Sequence, residues 1–283
     1  QDAFAPEEMT GIRQKAAGLL IDSGHVDDAV ALLVQARDWK RFVPLVLDRA
    51  PSLMAQGRGE TLCGWIAKLP EEILKHTPWL LFWYGICTLP FAPGESRKLL
   101  ERAFHLFEAQ GVRSGMLLAW SGAVQTFLFE FHDFKALDTW TGWLDTHMGP
   151  EADFPSADIK LSVAAGMVGA LGWRKPNHPA MRDWVNIALS LAQETSNVDI
   201  ALRAYTNSAL YFLWMGEFSE CGSLIEDMRR LASRSRSTSP SRLLSLKIAE
   251  AMYYNSIAEF RERAIQSVLD GMETAEKTGV HIF

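Results

Sequence analysis

The residues best suited to chemistry are five arginines that lie within 14 positions near the carboxyl-terminal end. They are Arg229, Arg230, Arg234, Arg236 and Arg242. Serines alternate with them, and no acidic residue lies between them. Guanidinium groups bind phosphate through paired hydrogen bonds, so the first four predict a phosphate or anion patch. The alternative, which we favour, is the cation-rich end of a helix followed by a solvated, serine-rich loop before Pro240.

A second set of candidate residues lies on one helical stripe that recurs along the chain. The sequence repeats weakly every 42 residues, and the stripe at positions 117, 121, 124 and 128 becomes more polar in its third and fourth copies. These copies contain Tyr205, Ser208, Phe212, Lys247, Glu250 and Tyr254. The first helix of each hairpin lines the concave side of a solenoid, so we expect a groove that binds a ligand or partner. Ordinary solvent exposure of less buried repeats is the alternative that we favour.

Recognisable catalytic and metal-binding motifs are absent from the sequence. It contains no HExxH, GxSxG, SxxK or kinase motif and no G-x-x-x-x-G-K-[ST] phosphate loop. The seven histidines lie far apart, and Cys63, Cys87 and Cys221 form no CxxC pair. We therefore predict a non-enzymatic chain without catalytic residues, metal site or cofactor. An unrecognised hydrolase, with ionisable groups converging in a deep pocket, is the remaining enzymatic alternative.

Composition narrows the class of protein further. The chain is 48% hydrophobic and 22% charged, which is typical of a globular protein, and its formal net charge is −6. No overall positive field exists to attract DNA or an anionic membrane, so we expect no direct nucleic-acid partner. Its longest charge-free stretches, 77–94 and 114–129, are too short or too polar for a membrane span. Three widely spaced cysteines suit a reducing compartment, and we expect a cytoplasmic location.

The elements that position these residues are helices. Apolar residues recur at spacings of three and four almost throughout, which predicts an all-α fold. Helix stops are expected at Gly24, Pro70, Gly111, Gly216 and Gly279. Before residue 112 we predict helices near 6–22, 26–36, 38–55, 60–68, 71–76, 78–90 and 94–110, and after it near 159–173 and 179–194.

A recurrence every 42 residues indicates stacked helix hairpins. Asp133-Phe134, Glu217-Phe218 and Glu259-Phe260 each follow a long apolar helix, and Pro176 occupies the missing copy. The register aligns a mostly small column, namely Ala123, Ala165, Asn207 and Ala249, and a large apolar column, namely Phe131, Trp173, Met215 and Ile257. Such a period predicts a right-handed superhelical array of antiparallel helix hairpins, an α-solenoid of tetratricopeptide (TPR) type. We expect a short-helix cap region over 1–111 and repeats of about 42 residues over 112–283, forming one continuous solenoid.

Packing motifs in the amino-terminal half resemble those of a known family. The stretch 16–39 is followed by Thr61-Leu62 and Trp65, then by Leu69-Pro70-Glu71-Glu72 and Pro78-Trp79-Leu80. In order and spacing these resemble the helices that follow the ATPase module in MalT-type bacterial transcriptional activators, large LuxR- or SARP-like regulators of the STAND ATPase class. The resemblance is strongest from 16 to 134.

The resemblance implies a regulatory role without chemistry in this segment. In that family an ATP-binding module precedes the repeats, and a DNA-binding domain lies elsewhere in the polypeptide. The segment would bind a small-molecule inducer or a regulatory protein, and ATP is expected only on an upstream domain. Because the chain starts without Met and stops just after a predicted helix end, we expect a fragment of a longer protein. The alternative is a free-standing TPR scaffold for protein–protein interaction.

Overall fold

The structure is a computed structural model that describes residues 6–234, 239–257 and 260–280. Within these ranges the chain forms fifteen α-helices and no strand, so the predicted all-α class is confirmed. The helices are α1 (Pro6–Asp22), α2 (Val26–Gln35), α3 (Trp39–Ala55), α4 (Gly59–Ile66), α5 (Glu71–His76), α6 (Pro78–Thr88), α7 (Pro93–Ala109), α8 (Arg113–Glu130), α9 (Leu137–His147), α10 (Ala157–Arg174), α11 (Met181–Glu194), α12 (Val198–Trp214), α13 (Phe218–Arg234), α14 (Pro240–Asn255) and α15 (Arg261–Thr278).

Local capping explains where these helices begin and end. Gly111 follows α7 with a φ of +68°, a left-handed conformation that costs glycine little. Helix α10 begins after Ser156, whose hydroxyl accepts a hydrogen bond from the Ile159 amide at 3.3 Å. Asn197 caps α12 in the same way. The helices predicted between residues 6 and 110 are all present, with ends within two residues of the predicted ones.

Most helices pack against their sequence neighbours, and from α4 onward each even-numbered helix also packs against the next even-numbered one. The even-numbered helices α6, α8, α10, α12 and α14 contact one another in this order. Residues 42 positions apart are in contact in this row. For example, Asn207 Nδ2 donates a hydrogen bond to the Ala165 backbone carbonyl at 2.8 Å. Trp173 lies against Phe131 with ring centroids 5.0 Å apart. The 42-residue register therefore corresponds to direct contacts between successive even-numbered helices.

The buried apolar residues form two large clusters. One extends from Ala17 to Leu80 and the other from Leu81 to Leu246, so the two clusters divide within α6. The predicted division at residue 111 stays a prediction.

A third, smaller cluster connects distant parts of the chain. It joins Leu89, just after α6, to Phe129 of α8, Leu244 of α14 and Val280, just beyond α15. This cluster brings the end of α15 against α6 and α8, and it lies beside the cavity described next.

Candidate functional site

The described residues enclose a cavity of about 970 Å³, here called the central cavity. Its wall includes residues of α3, α4, α6, α8, α10, α12 and α14 and the chain just after α15. One part of the wall is apolar, formed by Phe82, Trp83, Ile86 and Phe129. Another part is polar and carries Gln125, Ser162, Asp199, Arg203 and Arg242. A concave site with an apolar wall and a few convergent polar groups is typical of small-molecule binding sites.

Arg203, in the first half of α12, is the most deeply buried charged group of the cavity wall. It is 8% exposed. Its Nη1 donates to Gln125 Oε1 and its Nη2 to the Ser162 carbonyl, both at 2.9 Å. Its Nε is buried and has no hydrogen-bond partner among the described residues. Burial, and secondly the charge of Arg242, lower the pKa of Arg203 to about 9, although it remains protonated at neutral pH.

Arg242, in the first turn of α14, has even fewer partners. Its guanidinium forms neither a hydrogen bond nor an ion pair within the described ranges, and its Nε is buried. Its nearest aromatic neighbour is Phe129, whose ring centroid lies 6.0 Å from the guanidinium carbon. Burial lowers the pKa of Arg242, and Asp199 opposes this effect. Neither Arg203 nor Arg242 is therefore neutralised by a contacting carboxylate, whereas the third arginine of the wall, Arg58, pairs with Asp27.

The two carboxylates nearest this region are engaged by hydroxyl groups. Asp199 Oδ1 accepts hydrogen bonds from the Ser239 amide at 3.3 Å and from the Ser239 hydroxyl at 3.1 Å. These bonds tie the start of α14 to the start of α12. Asp158 Oδ1 accepts from the Thr195 hydroxyl at 2.7 Å. Both aspartates line the central cavity without forming an ion pair with Arg203 or Arg242.

The predicted groove residues of α12 do not lie on an open surface. Tyr205 and Phe212 are 6% exposed, and Ser208 is fully buried with no hydrogen-bond partner for its Oγ among the described residues. They pack into the core because their stripe faces neighbouring helices, as do Leu117 and Val124 of the same stripe in α8. The expectation that these three residues line an open groove is therefore wrong, since they lie in the core. Their role in binding stays a prediction.

The predicted groove residues of α14 meet in a buried polar network with Arg229. Glu250 accepts hydrogen bonds from Arg229 Nε at 2.6 Å, Lys247 Nζ at 3.1 Å and Ser267 Oγ at 3.3 Å. Arg229 also donates to the Tyr254 hydroxyl at 2.7 Å. These bonds satisfy the charges internally and link α13, α14 and α15.

The arginine run is not one patch. Arg229 pairs with Glu226 as well as Glu250, and Arg230 pairs with Asp227. Glu226 and Asp227 precede their partners by one helical turn, and Glu250 lies on the next helix, so all three acidic partners fall outside the run itself. The side chain of Arg234 and all of Arg236 lie outside the described residues. An anion patch at these four residues stays a prediction, and Arg242 lies apart from them in the central cavity.

Two cysteines lie together beside the cavity. Cys87 of α6 lines it, and the Sγ of Cys63 in α4 is 3.4 Å from the Thr88 hydroxyl. A hydrogen bond with Cys87 lowers the pKa of Cys63 to about 7, although burial opposes this shift. The same hydrogen bond, together with burial, raises the pKa of Cys87. Cys63 is consequently the most readily ionised thiol in the chain.

No group of three or more His, Cys, Asp or Glu side chains in the described ranges is arranged to hold a metal ion. Each helix in these ranges is too short or too polar to reach across a bilayer.

Arg203 and Gln125 are among the cavity residues that the sequence did not indicate. A signal for Arg203 existed, since it is the lone basic residue of α12, a helix that is otherwise mostly apolar. Its contact with Gln125 joins residues 78 positions apart, which the local pattern does not contain. Comparison of the sequence with protein-family models and with curated proteins finds no match.

Proposed function

We propose that this chain is the ligand-binding sensor segment of a bacterial transcriptional regulator, and that a small-molecule inducer binds in the central cavity. The cavity is the observation that carries the proposal. Its volume of about 970 Å³ lies at the upper end of the ~300–1,000 Å³ typical of small-molecule sites, and its wall combines apolar and polar side chains.

The architecture that we propose is a right-handed superhelical array of antiparallel hairpins of TPR type. Support comes from the ordered contacts among the even-numbered helices and from the 42-residue spacing of Asn207 and Ala165, which are in contact. An array of this kind couples its ends through its curvature. A ligand bound between α8, α12 and α14 would change how these helices pack. The change in packing would alter the relative position of the two ends of the segment.

The regulatory context rests on the resemblance of the amino-terminal motifs to MalT-type activators. In this proposal the segment is cytoplasmic and non-catalytic, and it needs no cofactor of its own. The ATPase module and the DNA-binding domain belong to other parts of the polypeptide. The full open reading frame should then extend beyond this segment and encode a phosphate-binding loop upstream.

Thermal-shift screening of the chain against sugars, amino acids and nucleotides tests the binding function. A ligand that binds the folded state at about 100 times its Kd stabilises it by about 2.7 kcal/mol, so at least one class should raise the midpoint saturably. Ile200 lines the cavity, so the larger side chain in Ile200→Trp should fill part of it and remove that shift. A panel in which no compound stabilises the chain would contradict the proposal.

The second candidate function is a free-standing TPR scaffold that binds proteins. It is favoured by an apolar stripe on α15, formed by Ile265, Val268, Leu269 and Met272, each about half exposed. The reading frame distinguishes the two functions. A frame that begins near residue 1 and ends near residue 283 supports the scaffold, whereas an upstream phosphate-binding loop supports the regulator.

A further inference from the structure

Two arginines of the central cavity, Arg203 and Arg242, have no carboxylate partner within the described ranges. Arg203 and Arg242 are close enough for the charge of Arg242 to lower the pKa of Arg203. A single carboxylate, Asp199, acts on both of them. Neither Asp199 nor the other acidic residues of the wall, Glu60 and Asp158, pairs with these two arginines within the described ranges, so both guanidiniums remain available to an additional anion.

Keeping a guanidinium in such a place is unfavourable unless another group compensates it. Burial removes water from the charged group, and buried arginines are normally paired with carboxylates and fully hydrogen-bonded. Arg203 instead donates to two neutral oxygens and leaves its Nε without a partner, and Arg242 has no hydrogen-bond partner among the described residues. By contrast, Arg229 lies near the same helices and is fully paired.

We propose that the central cavity binds a small organic anion, whose carboxylate or phosphate group lies between Arg203 and Arg242. This inference rests on the proposed ligand-binding function and adds the chemical class of the ligand. Guanidinium groups match both anions because they present parallel N–H donors to two oxygens. The Nη donors of Arg242 and the second N–H groups on the Nη atoms of Arg203 are the groups that the anion would engage, because the Nε atoms of both arginines are buried.

The remainder of the ligand should be apolar or aromatic. Phe82, Trp83, Ile86 and Phe129 form the apolar part of the same wall. Phe129 lies next to the Arg242 guanidinium, so an aromatic ring attached to the anionic group would be placed against a ring of the protein. Benzoate and phenyl phosphate are therefore suitable probes, and benzamide is the neutral counterpart of benzoate.

The test is calorimetric titration and thermal shift of the full chain with these three probes at constant ionic strength. Benzoate or phenyl phosphate should bind with a stoichiometry of one, and benzamide should bind at least about tenfold more weakly, since a charge-assisted hydrogen bond is lost. The stronger of the two anions identifies the group as a carboxylate or a phosphate. Arg203→Met and Arg242→Met should each weaken binding by about 10- to 100-fold.

Arg182→Met is the matched control, because Arg182 pairs with Glu217 and lies outside the cavity wall. It should leave anion binding unchanged. Arg242 lies in the first turn of α14 and is partly exposed, so its replacement should disturb folding less than that of Arg203. Arg242→Met therefore keeps the test interpretable even if Arg203→Met fails to fold. Circular dichroism of each variant checks its folding.

The inference is overturned if benzamide binds as well as benzoate, if neither anion binds, or if Arg242→Met retains full anion affinity. A neutral sugar or amide that binds in the cavity would overturn the anion class alone and leave the sensor function standing. Failure of every compound in the broader thermal-shift panel would overturn both.

Discussion

Replacing Glu250 by Gln tests whether the polar network between α13, α14 and α15 stabilises these three helices. The Glu250 carboxylate is 2% exposed and contacts both Arg229 and Lys247. Removing one partner of a buried ion pair costs about 3–5 kcal/mol. Arg229 and Lys247 are each about one-third exposed and keep their second partners, Glu226 and Asp270, so the lower value applies. We expect Glu250→Gln to cost about 3 kcal/mol.

Hydrogen exchange measured by mass spectrometry is the suitable assay, because it reports the opening free energy of each helix separately. A loss of about 3 kcal/mol should speed amide exchange in α14 and α15 by roughly 100-fold and leave α1–α5 unchanged. Glu226→Gln is the control, since Glu226 is a largely exposed partner of Arg229 and should cost less than ~1 kcal/mol. If Glu250→Gln behaves like this control, the network contributes little and the reasoning is refuted.

Two further predictions concern packing and thiol chemistry. In Gly115→Ala the new methyl group would lie 2.5 Å from the buried ring of Phe107, so urea unfolding should show a loss of about 1–2 kcal/mol. Gly142→Ala, which has open space around it, should instead gain up to about 1 kcal/mol from helix propensity; equal effects would contradict this packing argument. The alkylation rate of Cys63 by iodoacetamide should reach half its maximum near pH 7, because the hydrogen bond with Cys87 lowers its pKa. Cys87→Ala should move this midpoint upward, and an unchanged midpoint would exclude Cys87 as the cause.

Helix positions could be predicted from the sequence because their causes are local. Prolines and glycines such as Pro78 and Gly111 end or begin helices through their own backbone preferences, and the structure has helix ends at these residues. The contact between α10 and α12 could also be predicted, since the 42-residue register aligns Asn207 with Ala165 and these two residues are hydrogen-bonded.

The location of the candidate site could not be predicted in the same way. The polar stripe of Tyr205 and Ser208 was expected to face a groove, but the packing of adjacent helices turned it into the core. The hydropathy of one helix does not say which of two partly apolar faces its neighbours cover. The central cavity depends on side chains brought together over long distances, as Arg203 and Gln125 illustrate.

The pairing of the arginine run could not be predicted from the sequence for a similar reason. The run appeared unopposed because its acidic partners lie outside it, either one turn earlier, as with Glu226, or on the next helix, as with Glu250. Arg242 belongs to the run in sequence but begins another helix, and that helix directs it into the cavity. Charge clustering along the chain therefore did not identify which arginine lacks a partner.

The most direct test of the central claim is a calorimetric titration of the best ligand from the thermal-shift panel into wild-type chain, Ile200→Trp and Lys247→Met. Ile200 lines the central cavity, whereas Lys247 belongs to the Glu250 network and to the predicted groove. If the ligand binds in the cavity, wild type and Lys247→Met should bind one equivalent with similar affinity and Ile200→Trp should not bind. Binding that survives in Ile200→Trp but is lost in Lys247→Met would contradict the account and place the ligand site in the predicted groove.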